Sequence, residues 1–324
     1  MRSPLNPARA PTAAASLIML AIFLFGSLRY DHFASLSNTA ALFNDYAYII
    51  IAAIGATFVI LSGGIDLSTG SAVAFTNVLI ATLVDRGCHP IAAATIAIVG
   101  CTTLGALTGW VIDALQLPAF IVTLCAMFAL RAAAFLILDR SAAIDHSFFS
   151  WASHAEIPLG AGATLSFHTD LALFALAAAL VLARLTPFGA NILALGGSER
   201  AARSMGVPIA RTRILTYALA GLCSSLAGSA FTLYKQSGDP TSAVGLELIA
   251  IAAVVIGGTS LSGGTGSILG TLVGVLIIAV IRTIIDFQGN LNAAWTSIAT
   301  GGLLLVFVCL QRALTALARR SGER

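Results

Sequence analysis

Asp66, Ser68, Thr69 and Ser71 stand within six residues of one another in the stretch LSGGIDLSTGS, residues 61–71, and Thr76 and Asn77 follow closely. A carboxylate trailed by hydroxyls and an amide is a row of hydrogen-bond acceptors and donors. Such a row suits an uncharged polyol better than an ion. The same groups also have a purely structural use. Hydroxyls and amides bridge neighbouring helices, and an aspartate ahead of a helix accepts its first N–H groups. The apolar run YAYIIIAAIGATFVI precedes this stretch. A carboxylate within a membrane span is costly unless solvated or paired. Asp66 is therefore read in two ways, as a pathway residue or as the cap of the helix that follows.

The elements that must position these side chains belong to a membrane. Of the 324 residues, 58% are hydrophobic and 10% charged, against roughly 25% charged in soluble domains. The mean hydropathy of +0.95 is too high for one aqueous core. A net charge of +3 without a basic tract excludes a nucleic-acid surface. Five scattered cysteines give neither a disulfide framework nor a metal site. The histidines match no metal motif, fall in outer loops and are read as surface residues. The start of the chain, with Arg2 and Arg9 before AAASLIMLAIFLFGSL, resembles a secretory signal. No A-x-A site follows, so it is read as a retained first helix.

The chain is read as an all-α polytopic membrane protein, one membrane domain over residues 1–324. Ten segments are expected, at 13–28, 44–61, 65–84, 91–112, 118–138, 169–185, 213–234, 245–260, 265–286 and 293–311. Cytoplasmic tails would occupy 1–12 and 312–324, a periplasmic insertion 139–168, and a cytoplasmic loop 186–212. With the N-terminus inside, eleven basic residues fall on the inner side and four on the outer, as the positive-inside rule requires. Arg131 and Arg282 lie near outer span ends, where snorkelling accounts for them.

Two segments are short. AVAFTNVLIATLV supplies 13 residues, about 20 Å of helix against a hydrocarbon core of about 30 Å. LELIAIAAVVI supplies 11. Each adjoins the tetrapeptide LSGG, at 61–64 and 261–264, which gives the chain an internal pseudo-repeat. LSGG also opens the signature loop of ABC ATPases. That use needs a P-loop elsewhere, with a lysine on the phosphates. The single lysine, Lys235 in LYKQ, has no such setting, so the nucleotide reading fails. Gly63 and Gly64, with Gly263 and Gly264, are read instead as helix breaks. Paired glycine-interrupted short segments point towards a transporter's path. No HExxH, GxSxG or paired carboxylates indicate an enzyme.

In the loop FGANILALGGSERAARSMGVPIARTR, the segment SERAARSM is expected to form a short helix capped by Ser198 and ended by Gly206 and Pro208. It is either a docking knob or an ordinary basic loop. Taken together, FVILSGGIDLSTGS, LPAFIVTLCAMFALR, FGANILALGGSERAARSMGV, YALAGLCSSLAG and IAAVVIGGTSLSGGTGSILGTLVGVLI resemble the permease subunits of bacterial ABC sugar importers, the ribose-type branched family. GWVIDALQLPAFIVTL and AAWTSIATGGLLLVFVCLQRAL are most similar to the galactofuranose importer's smaller permease.

The resemblance implies a multi-pass protein of the bacterial inner membrane. Its expected partners are an ABC ATP-binding subunit, a second permease of the same or a related chain, and a periplasmic sugar-binding protein. No cofactor is expected on this chain, ATP being used by the partner subunit. Gly197, Glu199, Ala202 and Gly206 would face the ATPase, with Ser198 where the family usually has asparagine. Phe148, Phe149 and Trp151 of the outer insertion would contribute to the face meeting the binding protein. The candidate pathway is Asp66, Ser68, Thr69, Ser71, Asn77, Phe120 and Thr123. The alternative is an ion- or proton-coupled secondary transporter of a small polar solute, for which Asp66 is the one good candidate.

Overall fold

The computed structural model describes residues 10–289, 294–295, 298–306 and 309. It is a helical bundle: α1 Ala10–Arg29, α2 Leu36–Leu61, α3 Thr69–Asp85, α4 Pro90–Leu115 and α5 Ala119–Ile137 come first. Then follow β1 Ala142–Ala143, α6 Ser147–His154, β2 Glu156–Gly160, β3 Ala163–Ser166 and α7 Phe167–Leu185. Next come α8 Pro187–Gly197, α9 Glu199–Ser204, α10 Ile209–Lys235, β4 Ser237–Gly238, α11 Leu246–Ile256 and α12 Ile268–Gln288. Among the described residues, seven helices are long and apolar enough to cross a membrane; α3 and α11 are the apolar short ones. Of the expected segment at 293–311, residues 293, 296–297, 307–308 and 310–311 lie outside the described residues, as do 1–9 and the tail at 312–324.

Helix α2 is the centre. From Ile49 to Leu61 every residue is buried, which fits its all-round apolar sequence. It packs on α7, α10, α11 and α12, and α1 closes over α12. The pair α4–α10 is held by close backbone approach. A Cβ at Gly105 would overlap the Tyr217 carbonyl, and one at Gly221 the Cys101 carbonyl. YALAGLCSSLAG thus supplies the small residues that such packing needs.

Three regions differ from the sequence reading. The 139–168 insertion is built from α6 and a β2–β3 hairpin, with β1 paired antiparallel to β4. The 186–212 loop is mostly helical, because Thr186–Pro187 opens α8 with proline in its first turn. The link at 236–245, which joins the expected segments 213–234 and 245–260, folds inward along α3. Ser237 and Asp239 meet Asn77 in mid-helix, and a Cβ at Gly70 would overlap the Glu247 carboxylate. Helix α11 therefore begins beside the lower half of α3, and its 11 residues fall well short of a full span.

Candidate functional site

The first break follows from a helix end. Ser62 caps α2, Gly63 takes φ +83°, and the amides of Gly63 and Gly64 return to Ile60 and Val59. This is the glycine-terminated helix end that satisfies the last carbonyls. The second break is built differently. Helix α11 ends at Gly257–Gly258, with Gly258 at φ +95° and Thr259 N–H returning to Val254. The second LSGG is a turn further along, where Gly263 N–H bonds the Ser260 carbonyl. Gly263 and Gly264 therefore do not stop a helix, as the repeat of letters had indicated. They face the other copy: Gly264 N–H donates to the Leu61 carbonyl at 2.9 Å, and a Cβ at Gly263 would stand 2.8 Å from Gly63.

A third glycine closes this junction. A Cβ at Gly196, in the last turn of α8, would overlap the Leu61 carbonyl oxygen and stand 2.6 Å from the Gly264 amide. Both breaks and the end of α8 thus meet at one point. Gly196 escaped the sequence reading. Its signal was the doublet Gly196–Gly197, of which the exposed member, Gly197, was chosen.

Asp66 stands at the entry to α3 and also borders a cavity. Its Oδ1 accepts the Ser68 N–H at 2.8 Å and the Ser68 hydroxyl at 2.6 Å, while Oδ2 receives a long bond from Thr69, 3.5 Å. These bonds shape the entry to α3. Asp66 and Ser68 also line a cavity of about 390 Å³ between α3, α4, α5 and α10, with Phe75, Leu130, Tyr217 and Ser224. Asp66 has no ion pair among the described residues.

The other candidates are placed elsewhere. Ser71 is buried but is not part of the cavity wall. Asn77 is fully buried; its amide donates to Thr232 Oγ1 and the Ser237 carbonyl and accepts the Asp239 N–H. Every polar atom of Asn77 is engaged, so it clamps the inward link to α3 and α10 instead of facing a path. Thr123 is buried, with its hydroxyl 3.3 Å from the Ile65 carbonyl, and so props the first break from α5. Phe120, one turn before it, is half-exposed and lies outside the cavity.

Arg131 does not snorkel: its Nη1 donates to the carbonyls of Pro240 and Ser242, holding the inward link at 2.8 and 2.7 Å. Irregular backbone at membrane depth needs such partners. His168 is not a surface residue either. It is buried in the first turn of α7, 3.0 Å from the Asn44 carbonyl.

At the end of the bundle that carries α8 and α9, a second cavity of about 480 Å³ is lined by Gly63, Gly64, Gln116, Gly196, Glu199, Arg213 and Tyr217. Helix α9 forms as expected, with Ser198 Oγ accepting the Ala201 N–H and Gly206 at φ +80° beyond its end. Glu199 pairs with Arg203 at 3.0 Å and Arg213 at 2.7 Å; Arg213 also pairs with Asp113 at the end of α4. Gly197 and Gly206 are open to solvent. Ala202 is not: it is fully buried against Leu195 and Ile209. It faces its own fold, because a helix of six residues needs an apolar seat.

Comparison with known proteins fits this arrangement. Residues 38–308 match the family described as the branched-chain amino acid transport system / permease component. The chain belongs to this permease family. It is 42% identical over 306 residues to the inner membrane ABC transporter permease protein YjfF of Escherichia coli (strain K12), covering 93% of this chain and 92% of that one. It is 35% identical to the fructose import permease protein FruG of Bifidobacterium longum (strain NCC 2705), covering 94% and 92%. With the ribose import permease protein RbsC of Bacillus subtilis (strain 168) it shares 34% identity, covering 86% of each. No solved structure matches. The permease is thus a multi-pass membrane protein whose relatives are transport subunits.

Proposed function

We propose that this permease is the membrane subunit of an ATP-driven importer that moves a monosaccharide from periplasm to cytoplasm by alternating access. The observation that carries this reading is the junction of Gly63, Gly196 and Gly263, where both broken segments meet the last turn of α8. Motion imposed on α9 would reach both breaks through Ser198 and the end of α8. ATP is hydrolysed on a separate ATP-binding subunit seated on Gly197, Glu199 and Gly206. A periplasmic sugar-binding protein delivers the solute to the 139–168 face, and a second permease, the same chain or a paralogue, completes the pore. Both chain ends are cytoplasmic, and the membrane is the bacterial inner membrane. Relatives named for ribose and fructose support a sugar cargo. Galactofuranose is the first candidate, on the resemblance carried by GWVIDALQLPAFIVTL.

The test is uptake of radiolabelled sugar into proteoliposomes holding the permease, its ATP-binding subunit and its binding protein. Uptake should require ATP and all three components. Uptake by the permease alone under a sodium or proton gradient would overturn this reading in favour of a secondary transporter coupled through Asp66.

A further inference from the structure

Tyr217 combines two features that the transport mechanism so far leaves unused. Its side chain is 97% buried (3% exposed), yet its hydroxyl has no hydrogen-bond partner among the described residues. A buried donor without a partner costs about 1–3 kcal/mol, so its persistence calls for a reason. Tyr217 also lines both cavities, the one with Asp66 and the one beside Glu199 and Arg213. A Cβ at Gly64 would overlap its hydroxyl. The phenol therefore stands against the first break, as the partition between the two spaces.

We propose that the cavity between α3, α4, α5 and α10 is a polyol subsite within a single permease chain, held by Asp66 and Tyr217, with Tyr217 as its floor. This rests on the sugar-importer reading. A carboxylate oxygen with only a long hydroxyl bond accepts a sugar hydroxyl, and an unpaired phenol donates to one. The rings of Phe75 and Tyr217 offer apolar faces to sugar C–H groups, and Ser224 adds a hydroxyl on the α10 side. The volume, about 390 Å³, lies within the usual range of about 300–1,000 Å³ for small-molecule sites. Passage to the second cavity then requires Tyr217 to move away from Gly64, so the break and the subsite open together.

Tyr217→Phe tests this without changing the packing. Its effects on stability and on transport should diverge. Removing an unpaired buried hydroxyl should leave the melting temperature of the assembled transporter unchanged or higher. The loss of one sugar hydrogen bond should raise KM for uptake roughly three- to tenfold. The probes are tritiated D-galactose and D-ribose, presented to the full transporter in proteoliposomes with ATP. A second variant, Ala126→Leu, fills the same cavity from α5 and should abolish uptake while the transporter still assembles. Unchanged KM in Tyr217→Phe, or unchanged uptake in Ala126→Leu, would overturn the subsite alone. A lowered melting temperature in Tyr217→Phe would make the hydroxyl structural and overturn it as well. Failure of the unaltered transporter to import either sugar with ATP would overturn the importer reading, and the subsite with it.

Discussion

Asn77 and Asp66 show how one row of polar residues divides into different roles. Asn77 spends its whole amide on α10 and the inward link. Asn77→Ala leaves the part-buried Ser237 carbonyl and Asp239 N–H without that partner. It should destabilise the folded permease by about 2–4 kcal/mol, the lower part of the range for two groups at about 1–3 kcal/mol each, because both are only part-buried. Thermal unfolding in detergent, read against the unaltered chain, measures this. Asp66→Asn keeps an acceptor for Ser68 but removes the charge. It should retain the fold and lose transport, and uptake together with the melting temperature separates the two effects.

At the scale of elements, the glycine junction makes a contrast between adjacent residues. Gly196 has backbone on two sides, whereas a Cβ at Gly197 would meet nothing within 4 Å. Gly196→Ala should disturb both breaks, lowering the melting temperature and reducing sugar uptake at least tenfold, whereas Gly197→Ala should leave the melting temperature of the chain unchanged; parallel thermal unfolding decides. Helix α9 is tied to the bundle by Glu199, Arg213 and Asp113. These pairs are partly exposed, so their contribution to stability is small, on the order of 1 kcal/mol. Their use is orientation. Arg213→Gln should leave the melting temperature within a few degrees of the unaltered chain while reducing uptake per ATP hydrolysed. A bulky residue at Gly206, such as Gly206→Trp, should uncouple ATP hydrolysis from transport in the same ratio assay.

For the whole molecule, the proposed topology puts α9 and the β2–β3 hairpin on opposite sides of the membrane. With native cysteines replaced, Ala161→Cys in the exposed hairpin turn should react with an impermeant maleimide applied to the periplasmic face. Met205→Cys, which is likewise exposed, should react only after the inner face is opened. The reverse pattern would invert the topology. Labelling of both from one side would place the insertion and the inner loop together.

The helical membrane class and most segment positions were legible because hydropathy is a property of composition and length: α4, α5 and α12 begin and end within three residues of their expected bounds. The α9 cap was legible because Ser198, Gly206 and Pro208 act locally. Only the tertiary structure decided that Asn77 clamps while Asp66 lines a cavity, since both are polar residues on the same short segment. It alone decided that the second LSGG turns towards the first instead of ending a helix, because helix termination there had already been completed by Gly257 and Gly258. The partners of Arg131 and the close approach at Gly196 depend on residues between 68 and 135 positions away, and the seat of Ala202 depends on a fold that gathers near neighbours around a core. A single local pattern does not encode such contacts, because they exist only once the helices have packed.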